Sequence, residues 1–137
     1  TYPQLPGWQG PPWSLLLVPG WRDLLGRPLH EIVATQWNTT TSLLLDDLEQ
    51  LPPGTWTVAN YQALVADPAA EIRRLCAAND LAWDSILPQA LPLSSYTVST
   101  PDPTKWQRFT AEIDAVLPLI DAQARRAERL AARSSHP

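Results

Sequence analysis

Proline divides this chain before any other residue type is considered. Most of the fifteen prolines gather in blocks at Pro3–Pro28, Pro52-Pro53 and Pro88–Pro103, with Pro118 alone in a later apolar run. Proline lacks a backbone N–H and fixes φ, so each block ends or interrupts regular structure. The intervals between blocks therefore hold short elements, and no block is continuous enough to act as an extended linker.

Residues 1–27 combine Pro, Gly and Trp around one apolar burst, Trp13–Val18, and read as a Pro/Trp-rich cover segment. A short helical turn is expected at Trp21–Leu25, ended by Gly26. From Pro28 onward Leu29, Ile32, Val33, Trp37, Leu44, Leu48 and Leu51 recur at helical spacing, which predicts an amphipathic helix over 28–51. Thr39–Ser42 are poor helix formers and leave room for a break in its middle. Pro52-Pro53-Gly54 is a stop. Trp56 and Val58 then alternate with Thr55, Thr57 and Ala59, predicting the one main strand over 55–61.

Asp67 as N-cap with Pro68 at the first helical position opens a helix over 68–79, with Ile72, Leu75 and Cys76 as its apolar stripe. Residues 87–104 read as a Pro- and Ser-rich loop. Asp102-Pro103 repeats the cap and starts a C-terminal helix, or a helix pair divided at Pro118, over 103–133. Trp106, Phe109, Ile113, Val116, Leu117 and Ile120 form its apolar side. A single strand cannot pair its own backbone groups or make a sheet. The expected fold class is thus α/β, a predominantly helical fragment with one main strand, forming a single partial domain that needs a sheet from elsewhere. The absence of methionine fits the same reading of a chain cut from a longer protein.

Composition narrows the function classes. At 137 residues, 45% apolar and 18% charged, the chain is long and apolar enough to bury a core. A net charge of −4 argues against a nucleic-acid partner, which requires a basic face. Arg125, Arg126, Arg129 and Arg133 read as a solvated helix face, with an anion site as the alternative, and Asp46-Asp47 with Glu49 as another solvated face. The lone Cys76 excludes an internal disulfide and fits a reducing, cytoplasmic setting. No apolar run approaches the ~18 residues of a membrane span. His30 and His136 have no Ser or Cys partner in a catalytic pattern, and neither a Gly-rich phosphate loop nor metal-ligand spacing is present. The residues by themselves assign no catalytic group and no metal.

Several weak motifs occur in a telling order: Trp56–Tyr61, then Leu64-Val65-Ala66-Asp67-Pro68, then Leu93-Ser94-Ser95-Tyr96-Thr97, Pro101-Asp102-Pro103 and Lys105-Trp106-Gln107-Arg108. This series resembles the C-terminal half of bacterial sulfotransferases that use 3′-phosphoadenosine-5′-phosphosulfate (PAPS). The resemblance implies the C-terminal part of a P-loop-like sulfotransferase fold, with the missing N-terminal half of that fold as partner. It implies that Tyr61 lies beside the adenine, where the bottom-up alternative is a core Tyr closing the strand. It assigns Ser94, Thr97, Lys105, Trp106 and Arg108 to the nucleotide and its 3′-phosphate, against a reading in which Lys105 is surface and Trp106 is core. Cations and hydroxyls before a helix suit a phosphate, and Lys105 is the sole lysine.

Trp8, Trp13 and Trp21 resemble the acceptor side, so they are expected either to line a small-molecule acceptor pocket or to pack the cover. Gln62-Ala63 and Ser95 depart from the family's acids and arginine, the latter removing a bidentate phosphate donor. The expected function is the C-terminal portion of a sulfotransferase moving a sulfuryl group from PAPS to a hydroxyl or amine, inactive alone. The alternative is a non-catalytic helical protein-interaction module, with a homo-oligomer left open.

Overall fold

The computed structural model describes residues 5–52, 54–87, 96, 97 and 99–134. Four α-helices run through them: α1 (Leu29–Gln50), α2 (Tyr61–Ala66), α3 (Pro68–Ala78) and α4 (Thr110–Ser134), with 3₁₀ turns at Trp21–Leu24 and Lys105–Phe109. None is long and apolar enough to cross a membrane.

Apolar spacing from Leu29 produces α1, and Pro28, extended at φ −55° and ψ 143°, is its N-cap. The Thr39–Ser42 stretch does not break it. Ser42 lies toward α4, where its Oγ accepts from Gln123 Nε2 at 3.5 Å, so tertiary packing offsets the weak local propensity. Asp46 and Glu49 meet Arg126 in the same way. Because partner numbers rise together along both helices, α1 and α4 run in the same direction. Parallel neighbours cannot share a short loop, and the connection from Leu51 to Phe109 must travel back about 33 Å, the length of a 22-residue helix. Leu45, Val116 and Leu130 are buried on this pair, as are Ala34 and Ile32 on α1. Pro118 neither ends nor divides α4. The Asp114 carbonyl that loses its helical donor there belongs to an exposed residue, so the missing bond need not be made up within the protein.

The cover segment builds a core of its own. Trp13, Val18, Trp21 and Leu24 are buried together with Ile32 of α1, and Leu5, Trp8 and Leu15 pack on their edge. The Trp21 ring lies 4.9 Å from Trp8 and 5.2 Å from Trp13, both tilted, the geometry aromatic quadrupoles favour. Gln36, buried on α1, donates to the Leu16 carbonyl at 2.7 Å and ties the cover to the helix. Gly10 has no room for a side chain, since a Cβ there would run into the Trp8 indole. Gly10→Ala is expected to push Trp8 off Trp21 and cost about 1–2 kcal/mol of stability. Thermal denaturation beside the exposed control Gln9→Ala checks this.

The expected α/β class is overturned. Among the described residues there is no β-strand, and Trp13 alone carries an isolated bridge. The segment expected as a strand over 55–61 is irregular to Asn60, and Tyr61 already belongs to α2. Side chains take the ladder's place: Arg74 Nη2 donates to the Val58 carbonyl at 2.5 Å and Glu71 Oε1 accepts from the Asn60 N–H at 2.8 Å. Alternating residues report an extended path, but here a helix clamps that path and no sheet is formed. The described chain is accordingly helical, and the expectation of the C-terminal part of a P-loop-like fold is withdrawn. The helix expected from Asp102-Pro103 is also delayed. Asp102 caps a turn, accepting from Thr104 N at 2.8 Å, then the 3₁₀ turn follows and α4 begins at Thr110.

Candidate functional site

Tyr61 is placed by two caps and one ion pair. The Asn60 side chain accepts from Ala63 N at 3.0 Å to start α2, and Asp67 accepts from Ala70 N at 2.9 Å to start α3. Pro68 at the head of α3 is fully buried and anchors the corner. Below it Glu71, buried, pairs with Arg74 through two bonds of 2.8 and 2.7 Å while receiving the Asn60 N–H. The Arg74 guanidinium, helped by that N–H, holds the Glu71 carboxyl down at about 2. The residue before Tyr61 is therefore rigidly held, while the Tyr61 ring stands 76% exposed. It does not close a strand into a core.

The loop residues form a second group. Thr97 is exposed, and Ser94 lies outside the described residues. Lys105 Nζ donates to Ser99 Oγ at 2.7 Å, which aims the ammonium back along the loop. Asp102 accepts from both the N–H and the hydroxyl of Thr104, and these bonds lower its carboxyl pKa. The Arg108 guanidinium sits 4.9 Å over the Phe109 ring. Trp106 is 55% exposed and presents its indole on the same 3₁₀ turn. Two cations, the hydroxyls of Thr97, Ser99 and Thr104 and an exposed indole thus share the stretch from Thr97 to Arg108. Among the described residues no hydrogen bond or ion pair joins this group to Tyr61.

The three tryptophans expected on the acceptor side come together, but largely as core. Trp13 and Trp21 are buried, Trp13 Nε1 donates to the Leu16 carbonyl at 3.4 Å, and the Arg22 guanidinium lies 4.7 Å over the Trp21 ring. Trp8, bonded through Nε1 to the Pro11 carbonyl at 2.9 Å, is the half-buried member and keeps an accessible edge.

Sequence reasoning missed Glu71, Arg74 and Arg126. The last was read within a solvated face, yet it bridges α4 to Glu49 at 2.6 and 3.0 Å and to Asp46 at 2.7 Å. These carboxylates raise its pKa, and in turn it lowers that of Glu49. The signal that points to it is the acidic end of α1, Asp46, Asp47 and Glu49, set against the arginine-rich C-terminal half of α4. A cleft of about 180 Å³ opens beside it, lined by Glu49, Arg126, Arg129, Leu130 and Arg133. Among the described residues no group of His, Cys, Asp and Glu can hold a metal ion.

A family model described as "Sulfotransferase family" matches residues 5–85, more than half of the chain. The match takes in the tryptophan cluster, α1, Tyr61, Glu71 and Arg74, while Thr97 and the Lys105–Arg108 turn lie beyond it. No curated protein and no solved structure matches.

Proposed function

The chain belongs to the sulfotransferase family, and on that premise we propose that it serves sulfuryl transfer from PAPS to a hydroxyl or amine acceptor. The single observation that carries this reading is the family match over residues 5–85. The donor set fits the nucleotide in kind. Lys105 and Arg108 bring positive charge and Thr97 a hydroxyl to the phosphate side, and the exposed rings of Tyr61 and Trp106 offer flat faces on which adenine stacks. Ser94 and the accessible edge of Trp8 complete the proposed contacts, with Trp13 and Trp21 holding Trp8 in place.

PAPS supplies the activated sulfuryl group. The acceptor's lone pair forms a bond to sulfur, the bond from sulfur to the 5′-phosphate oxygen breaks, and 3′,5′-adenosine bisphosphate departs with the bonding pair. The acceptor's proton passes to a base. The residues assigned here bind and orient, and their cations draw off charge from the departing phosphate. None of them is the base, so the chain by itself is expected to bind nucleotide without turnover.

A thermal-shift titration tests the reading, with 5′-AMP as the control lacking the 3′-phosphate. A site for 3′,5′-adenosine bisphosphate raises stability by about 2.7 kcal/mol at a hundredfold excess over Kd. Lys105→Ala is expected to remove the selectivity for the bisphosphate, and Tyr61→Ala to weaken both nucleotides. A cooperative melt unmoved by either nucleotide would sink the proposal.

A further inference from the structure

We propose that the face of α1 turned away from α4 is the contact surface of a two-fold, antiparallel dimer of this chain. Leu29, Val33, Trp37 and Leu44, with Leu51 at the C-cap, are each between 41% and 62% exposed. They recur at intervals of four or seven residues, so they fall on one stripe along the whole helix. From Val33 to Leu51 the stripe keeps the alternating four-and-three spacing of a helix-pairing seam, with Thr40 and Asp47 filling its remaining positions. The opposite side of α1 is already used, since Ser42, Asp46 and Glu49 meet α4. Ile32 and Gln36 are taken by the tryptophan cover.

Area and charge choose the occupant. The five side chains expose about 500 Å² per copy, toward the upper end of what a monomer leaves in one apolar patch, and about 1,000 Å² across a symmetric pair reaches the floor for a specific interface. No Lys or Arg lies on the stripe to bind an acidic partner; its one charge is Asp47. A second α1 running parallel would set Asp47 against its own copy, a like-charge contact that opposes pairing. Running antiparallel about Thr40, Leu29 meets the second copy's Leu51, Trp37 meets Leu44, and Asp47 falls beside Val33, one turn from His30. That arrangement is self-complementary, as a two-fold interface must be. It does not depend on the sulfuryl-transfer reading.

Sedimentation between about 1 and 100 µM, the range in which an interface of minimal area assembles, tests the pairing. The mass is expected to rise from 15.2 kDa toward twice that value. Val33→Asp and Leu44→Asp change residues exposed in a single copy, so far-UV circular dichroism should be unchanged while dimerisation weakens more than about tenfold. In a Cys76→Ala background, a mixture of L29C and L51C chains should form the mixed disulfide on oxidation, and D47C should not pair with itself. A chain that stays at 15.2 kDa throughout, a dimer indifferent to Val33→Asp, or a D47C homodisulfide would overturn the proposal.

Discussion

Trp21→Ala is expected to lower the stability of this chain by about 3–5 kcal/mol, the usual cost of emptying a buried aromatic site. The expectation follows from position. Trp21 is buried, touches Trp8 on one side and Trp13 on another, and is covered by the Arg22 guanidinium. Removing it leaves two rings without their common partner and opens the cover segment where it joins Ile32 of α1. For a chain of this size the loss corresponds to a fall in melting temperature of roughly 10–20 °C. Trp106→Ala, at an exposed position, is the control and should stay within about 0.5 kcal/mol of wild type. Chemical denaturation followed by circular dichroism distinguishes them. Equal, small effects would mean that the tryptophans do not form a core.

Glu71→Gln should produce the second large loss, and it should depend on pH in a stated direction. Glu71 is buried and receives Arg74 and the Asn60 N–H, and its carboxyl is held at about 2 against an ordinary 4.5. A carboxyl depressed in the folded state stabilises it above the unfolded value, and that contribution is lost as pH falls through the folded value. The gap between wild type and Glu71→Gln should therefore be widest at neutral pH and close as pH drops from about 4.5 toward about 2. Glu49 and Asp102, also depressed, act in both proteins and cancel in the difference. At neutral pH the melting temperature should fall by about 5–10 °C, because Arg74 loses its countercharge beside the Val58 carbonyl. Glu71→Ala should cost more, since it also strands the Asn60 N–H. A gap independent of pH would show that the carboxylate's charge is not what matters. On the proposed function, loosening Asn60 should also weaken nucleotide binding at Tyr61, with Glu71 acting through the Asn60 N–H.

Much of the helical framework was legible locally. The spacing of Leu29, Ile32, Val33 and Trp37 marks α1, and Asp67-Pro68 marks the start of α3, because helix faces and caps are set by residues within a few positions of one another. The same kind of signal points to a turn at Trp21–Leu25, and a 3₁₀ turn covers Trp21–Leu24. Thr55–Ala59 misled because alternation reports an extended backbone without saying what pairs with it. The pairing groups, Arg74 and Glu71, sit more than ten residues away and resemble any solvent-facing helical charges. Arg126 was missed for the same reason, with its acids about 80 positions earlier. In the candidate site, motif order singles out Tyr61 and Lys105 as proposed contacts, whereas the groups around them, Glu71 and Arg74 near Tyr61 and Ser99 at Lys105, come only from the structure.

Local sequence dictates where helices begin, where prolines stop them and which residue types the proposed nucleotide contacts can draw on. Those are consequences of backbone sterics, capping and side-chain chemistry, and they act over a few residues. Tertiary structure alone decided that α1 and α4 run parallel, that the tryptophans share one core, and that a salt bridge substitutes for a sheet behind Tyr61. Each of these joins groups distant in sequence. Such contacts form only when the packing of the whole chain repays the entropy of closing the loops between them.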